Sequence, residues 1–123
     1  MKVVFIGILC AYATLFYQEP PGTKVSISDL HGSGLLDFCN KSDGYELQFC
    51  EAFIIGVRDG AALAITLRNA KPLFDTPPEV NPKQLKAVVV KFLNDHPEEL
   101  HKPAAELVIF ALHQGFPSGG DTK

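Results

Sequence analysis

The sequence predicts an all-α protein, a small bundle of about four helices pinned by one disulfide. Three observations favour this fold. From Glu46 to Leu67 there is no proline, and most residues are apolar or small, which is enough for about six helical turns. Two later segments have apolar residues at helical spacing, and each follows a proline. Finally, Cys39 and Cys50 flank a polar loop, so a bond between them would join a short helix to the long one.

Length and charge restrict the classes of protein to which this chain can belong. A chain of 123 residues forms one domain, and 46% hydrophobic residues are normal for a globular core. The formal net charge is −3, and the basic residues are scattered without a stripe or block. Nucleic acid and anionic membrane surfaces are therefore poor partners.

Residues 1–17 have the features of a signal peptide. A positive start is followed by the apolar run Val3–Cys10, and Ala11–Ala13 fits the small-x-small rule for cleavage, although cleavage nearer Gln18 is also compatible. The apolar stretch Val3–Tyr17 is shorter than the roughly 20 residues that a membrane-spanning helix needs. We therefore expect export, with no stable membrane insertion after cleavage.

Export would account for the number of cysteines in the mature chain and for their pairing. Cys10 would leave with the signal peptide, and an oxidising compartment would join the remaining pair, Cys39 and Cys50. Such a short ring would stabilise the fold by about 3 kcal/mol in the loop-entropy model. The alternative is a cytosolic helical protein with two buried free thiols.

The N-terminal half is expected to contain an exposed segment over residues 18–32, followed by one helical domain over residues 33–117. Ser33 is a suitable N-cap for a short helix that ends at Cys39. In the long helix, a row of small residues spaced by four leaves a groove without side chains: Gly56, Gly60 and Ala64. Glycine in a helix costs about 1 kcal/mol relative to alanine, so we expect another helix to cross closely there.

A proline-rich linker over residues 69–81 leads to the third helix. Asn81 is a suitable N-cap, Pro82 fits the first helical position, and Gln84 completes a capping box. His96 and Pro97 end this helix, and a single turn follows.

Pro103 opens the last helix, which is expected to end with Gly115 at the position after its C-cap, before a loose tail over residues 118–123. This helix is apolar almost all round. Either it is the centre of the bundle, or Ile109 and Phe110 meet a second subunit in a homodimer.

No constellation of residues indicates an enzyme. His96 and His101 are separated by Pro97, so they lack the i, i+4 spacing of a helical zinc site. The proposed disulfide removes Cys39 and Cys50 as nucleophiles, and the sequence has no phosphate loop and no Gly-x-Ser-x-Gly elbow. We therefore expect no catalytic activity, cofactor or metal, and a role in protein binding.

An ordered set of motifs resembles the Rap/Tai immunity proteins of type VI secretion systems, from about Gly34 to Ser118. The resemblance is carried by Leu36–Cys39, Cys50–Asp59, Val80–Leu85, Phe92–Glu98, Leu100–Ala105, Ala111–Leu112 and Phe116–Pro117. It implies a small, all-helical periplasmic protein, often dimeric, that blocks the active-site cleft of a peptidoglycan amidase effector delivered by neighbouring cells. The family commonly has a second cysteine pair, and here Leu73–Asp75 and Phe116–Ser118 stand in its place. The resemblance therefore implies a linker and C-terminus that are held less tightly.

An inhibitor that fills an enzyme cleft should present a rigid, protruding polar element. The best candidate is the corner between the last two helices, with Asp95, His96, Glu98, Glu99, His101 and Lys102. The linker Lys71–Pro78 is a second candidate, and either segment could instead be an ordinary solvated connection. The competing functions are an HdeA-like periplasmic acid-stress chaperone, another helical binding protein, and a metal-dependent or thiol enzyme.

Overall fold

The computed structural model of the protein describes residues 30–119. The signal peptide predicted for residues 1–17, most of the N-terminal segment 18–32 and most of the tail 118–123 lie outside these residues. Within them the chain forms four α-helices and one 3₁₀ turn, and it contains no β-strand. The elements are α1 (Gly32–Cys39), α2 (Gly44–Leu67), α3 (Pro82–Asp95), the 3₁₀ turn (Pro97–Glu99) and α4 (Ala104–Gly115). The predicted all-α bundle is confirmed.

The predicted disulfide joins α1 to α2. The Cys39 and Cys50 sulfur atoms are 2.04 Å apart, with a Cα–Cα distance of 5.2 Å, and both residues are buried. The start of α1 differs from the prediction, because His31 is the N-cap and Ser33 already lies in the first turn. The earlier start follows from tertiary hydrogen bonds, which the N–H groups of Gly32 and Ser33 donate to the carbonyl oxygens of Lys102 and Leu100.

The long helix α2 buries a different side from the one predicted. Its buried residues are Cys50 and Ile54, whereas the row Gly56, Gly60 and Ala64 is exposed. A Cβ atom added at Gly56 or Gly60 would meet nothing within 4 Å, so no helix of the described chain crosses there. Helix α2 has apolar residues on two faces, one with Gly56 and one with Cys50. The disulfide to Cys39 places the Cys50 face toward the interior. The predicted packing groove is therefore wrong for the interior of this chain.

The third helix begins as its sequence predicts. The Asn81 side chain accepts a hydrogen bond from the Gln84 backbone N–H at 3.0 Å, and the Asn81 N–H donates to the Gln84 side-chain oxygen at 2.9 Å. Pro82 occupies the first turn, and the helix ends at Asp95 before His96. The buried face of α3 consists of Leu85, Val89 and Leu93.

The last helix is the centre of the bundle. It packs against α1, α2 and α3 and buries Ala104, Leu107, Val108, Ala111 and Leu112. Gly115 is the last helical residue, with Phe116 as the C-cap, so the predicted position after the cap is wrong. Glycine is required at 115 because an added Cβ would lie 2.6 Å from Cγ1 of Val88.

Candidate partner-binding surface

The corner between α3 and α4 is an ordered turn. Where α3 ends, the His96 ring stacks on Phe92 with 4.2 Å between the ring centroids, and Nδ1 of His96 lies 2.8 Å from the Phe92 carbonyl oxygen. The Glu99 N–H then donates to the His96 carbonyl at 3.0 Å, and the Lys102 N–H donates to the Glu99 carbonyl at 2.9 Å. Successive backbone hydrogen bonds thus fix the path of the corner from Phe92 to Lys102.

The first turn of α1 braces the same corner from the side. The Gly32 N–H donates to the Lys102 carbonyl at 3.0 Å, and the Ser33 N–H donates to the Leu100 carbonyl at 3.0 Å. These two amide groups belong to the start of α1, where a helix has no partner of its own for them. Glycine at 32 permits this approach, since an added Cβ would clash with Leu107 and lie 3.3 Å from Cα of Leu100.

The charged and titratable residues of the corner fall into two groups: those whose side chains form an ion pair or hydrogen bond, and those whose side chains form neither. Glu99 and Lys102 form an ion pair, and the hydrogen bond from Lys102 lowers the pKa of Glu99, while that same bond raises the pKa of Lys102. Asp95 accepts a hydrogen bond from Lys91 at 2.6 Å. Within residues 30–119, Glu98 and His101 are exposed and form no hydrogen bond or ion pair through their side chains.

The structure therefore brings the six predicted residues into one segment but gives them different roles. His96, Glu99 and Lys102 are half-buried and make contacts that shape the turn. Asp95, Glu98 and His101 are exposed and face solvent. A rigid backbone with exposed polar side chains is suited to binding, because little conformational entropy remains to be lost on contact with a partner.

The linker, the second predicted candidate, is attached to the end of α4 without a covalent bond. Phe74 is buried and forms an isolated bridge with Pro117, and the Asp75 N–H donates to the Phe116 carbonyl at 2.9 Å. Nδ1 of His113 lies 2.5 Å from the carbonyl oxygen of Leu73. These contacts join the two segments, Leu73–Asp75 and Phe116–Ser118, that the resemblance to the family compared with a second cysteine pair.

A cleft of about 510 Å³ lies between the second half of α2 and this linker. Arg58 and Asp59 form an ion pair on its α2 side, with Nε 2.8 Å from Oδ1. The Thr76 hydroxyl on the linker side is buried and has no hydrogen-bond partner among the described residues. Sequence reasoning missed this cleft because it depends on how the linker folds back, although Arg58, Asp59 and the prolines of the linker are visible in the sequence.

The geometry gives no support for metal chemistry at the histidines. In residues 30–119, no group of three or more His, Cys, Asp or Glu side chains is placed to hold a metal ion. His96 contacts Phe92, whereas His101 points to solvent beside Glu99. Over the same residues, none of the helices has the length and hydrophobicity needed to cross a membrane.

The chain is thus a small disulfide-linked helical bundle whose polar corner is braced by α1. A family model described as Rap1a immunity proteins matches residues 31–118, which include all four helices. The chain belongs to this family. Membership implies immunity against a type VI secretion effector through binding of an effector protein, and the family is generally non-enzymatic. Searches of curated proteins and of solved structures found no match to this chain.

Proposed function

We propose that this chain is a periplasmic immunity protein that binds and blocks a peptidoglycan amidase effector of a type VI secretion system. The observation that carries the proposal is the braced corner within a chain of the immunity family. In this proposal the turn Pro97–Glu99 enters the cleft of the amidase, and Asp95, Glu98 and His101 contact its walls. The linker Lys71–Pro78 is the second surface available to the same partner.

The rigidity of the corner supports this mode of inhibition. An inhibitor that fills an active-site cleft must keep its shape while substrate competes for the same space. Hydrogen bonds from Gly32 and Ser33, together with the Glu99–Lys102 pair, hold the corner before any partner arrives. Preorganisation of this kind favours a slow dissociation rate, which is the property that an immunity protein needs.

Periplasmic action is supported by the disulfide and by the chemistry of the target. Cys39 and Cys50 have the geometry of a bonded pair in the core, and disulfides persist in oxidising compartments such as the bacterial periplasm. Peptidoglycan lies in that compartment. An immunity protein against an amidase therefore acts there, and residues 1–17 provide the predicted signal for export.

The homodimer belongs to the same proposal. Ile109 and Phe110 were expected to meet a second subunit, and Phe110 is 43% exposed while Ile109 is half-buried. Because the other large apolar residues of α4, Leu107, Val108 and Leu112, are already buried by their own chain, these two residues offer only a small apolar contact.

A protection experiment tests the function. Cells that export an amidase effector of a type VI secretion system to the periplasm should lyse, and if this chain is its immunity protein, co-production should prevent lysis only when residues 1–17 are present. Every amidase gene found beside this gene should be tested in this way. Purified protein should also bind the amidase in calorimetry and stop peptidoglycan cleavage. Absence of both protection and binding would exclude the proposal.

Paired variants test the surface. Glu98→Lys reverses a charge at the corner and should weaken binding by at least about tenfold, by analogy with charge reversals at other interfaces. Asp37→Lys reverses an exposed charge on α1 and serves as the matched control. Equal affinities for the two variants would remove the corner from the interface while leaving the immunity function intact.

A further inference from the structure

The linker forms one wall of the cleft beside α2, and this wall has an open main-chain edge. The Asp75 N–H donates to the Phe116 carbonyl, and Phe74 forms an antiparallel bridge with Pro117. In an antiparallel pair, residues that exchange hydrogen bonds alternate with residues that do not, and the latter turn their N–H and C=O groups to the outer edge. Phe74 therefore occupies an outward-facing position, on the edge opposite Phe116.

The polar groups of this edge have no partner in the protein. Within residues 30–119, the main-chain N–H and C=O groups of Phe74 and Thr76 form no hydrogen bond, and both residues line the cleft. The Thr76 hydroxyl is buried and equally unpaired, and an unpaired buried polar group costs about 1–3 kcal/mol. An extended peptide supplies alternating N–H and C=O groups, which are the partners that such an edge accepts.

The dimensions of the cleft suit a short extended segment. On the α2 side the lining runs from Arg58 to Thr66, which corresponds to about 12 Å of helix. An extended chain rises about 3.3 Å per residue, so the cleft holds about three or four residues of a peptide. The rest of the lining is mainly apolar and can receive alternate side chains of that peptide: Ala62, Ile65, Pro72, Pro77, Pro78 and Val80.

The charges of the cleft indicate which side chain the peptide should carry. The lining contains one basic residue, Arg58, and two acidic residues, Asp59 and Asp75. Arg58 is paired with Asp59, whereas Asp75 is exposed and has no ion pair among the described residues. The cleft thus has an excess of negative charge, which is complementary to a lysine or arginine on the peptide.

We propose that an extended segment of the effector, carrying a lysine or arginine, binds in this cleft as a strand added to the Phe74 edge. The main chain of the segment pairs with Phe74, and its basic side chain lies beside Asp75. The proposal rests on the proposed function for the source of the peptide, and it goes beyond it by naming the main-chain contact and the side chain that is recognised. The contact is separate from the one at the corner.

Hydrogen exchange tests the main-chain pairing. In the free protein, the Phe74 amide should exchange faster than the Asp75 amide, because only the latter donates a hydrogen bond. In the complex with the amidase that passes the protection test, exchange at Phe74 should slow by at least about tenfold. The change at Asp75 should be much smaller. Unchanged exchange at Phe74 in the complex would overturn the proposal.

Charge reversal tests the side-chain recognition. Asp75→Lys should weaken binding of the amidase by about tenfold, mainly through slower association and with a weaker dependence on salt. Asp37→Lys makes the same change on α1, outside the cleft, and should have little effect. Circular dichroism should show that both variants are folded. Equal affinities for the two variants would overturn the recognition by Asp75 and leave the immunity function intact.

A library of random peptides displayed on phage and selected on the whole chain provides a test that needs no amidase. Selected peptides should contain lysine or arginine and should bind Asp75→Lys more weakly than Asp37→Lys. Methylation of single main-chain nitrogen atoms in a selected peptide should weaken binding at alternate positions, because only alternate amides face the Phe74 edge. Peptides without basic residues, or peptides that are insensitive to methylation, would overturn the proposal even if the amidase itself proved not to be a partner.

Discussion

The backbone N–H of Gly32 donates a hydrogen bond to the carbonyl oxygen of Lys102 over 3.0 Å, so the first turn of α1 is attached to the corner before α4. The other end of α1 is attached to α2 through Cys39. Helix α1 therefore connects the long helix to the candidate binding surface. Stability of the disulfide region and order at the corner should be coupled through this short helix.

Gly32→Ala should destabilise the protein and disturb the corner. The added Cβ would clash with Leu107 and crowd Leu100, and overpacking of this kind typically costs about 1–3 kcal/mol. Chemical denaturation would measure the loss. Gly119→Ala adds the same methyl group where nothing lies within 4 Å and should be nearly neutral. Equal stability of the two variants would show that α1 does not pack closely on the corner.

Removal of the disulfide should lower the free energy of unfolding by about 3 kcal/mol. The double variant Cys39→Ala/Cys50→Ala should reproduce the effect of a reductant on the wild type, and the reductant should have no further effect on this variant. Hydrogen exchange should become faster at the Gly32 amide, because α1 loses one of its two attachments. Unchanged exchange at this amide would show that the corner is braced independently of the bond.

Phe74→Ala should release the linker from the end of α4. Phe74 is a buried aromatic side chain, and truncation of such a residue costs about 3–5 kcal/mol, with the lower end expected for a position at the margin of the core. The Asp75 amide, which donates to Phe116, should then exchange faster. Leu73→Ala changes the exposed neighbour and should have a much smaller effect. Slow exchange at Asp75 in the Phe74 variant would contradict this anchoring role.

The protein should remain folded at about pH 3. No charged side chain is buried in residues 30–119, so protonation of carboxylates leaves the core intact, and acid unfolding by this route is weak. Circular dichroism and a dye that binds exposed apolar surface would follow the titration. Loss of structure with strong dye binding at this pH would instead favour the acid-stress chaperone.

The Glu99–Lys102 pair should add a small pH dependence at the corner. Because the pKa of Glu99 is lowered in the folded state, its contribution is present above the unfolded pKa of about 4.3 and is lost as pH falls through the folded value. The pKa of Lys102 is raised, so its contribution is present below about 10.4 and is lost as pH rises through the folded value. The effect on global stability is small, since the pair is solvent-screened. Glu99→Gln should abolish the acidic step in the chemical shift of the Lys102 amide, and a persistent step would assign it to another group.

Local signals in the sequence predicted much of the fold. The Asn81–Gln84 capping box, the end of α2 at Leu67 and the bond between Cys39 and Cys50 are confirmed. Each depends on residues that are close in sequence, or on one covalent pair. The single turn after α3 is also confirmed, because Pro97 interrupts the polar run from Asp95 to Lys102, whereas the binding role of these residues stays a prediction.

The failures share one physical cause. Helical periodicity locates apolar faces but does not state which face meets the interior, and α2 has apolar residues on more than one side. The prediction chose the side of Gly56, whereas the structure buries the side of Cys50. The predicted Ser33 cap is wrong for a related reason, since the Ser33 N–H donates to the carbonyl oxygen of Leu100, a residue far away in the sequence that leaves no local signal.

The sequence by itself determined that this chain is a disulfide-linked helical bundle with a capping box at the start of α3 and a polar corner, because spacing, that cap and cysteine count are properties of short stretches. Only the tertiary structure decided which side of α2 is buried, how α1 braces Leu100 and Lys102, and where the linker meets Phe116. These features arise from contacts between residues far apart in the chain. Their energies depend on shape and burial after folding, which no local pattern specifies.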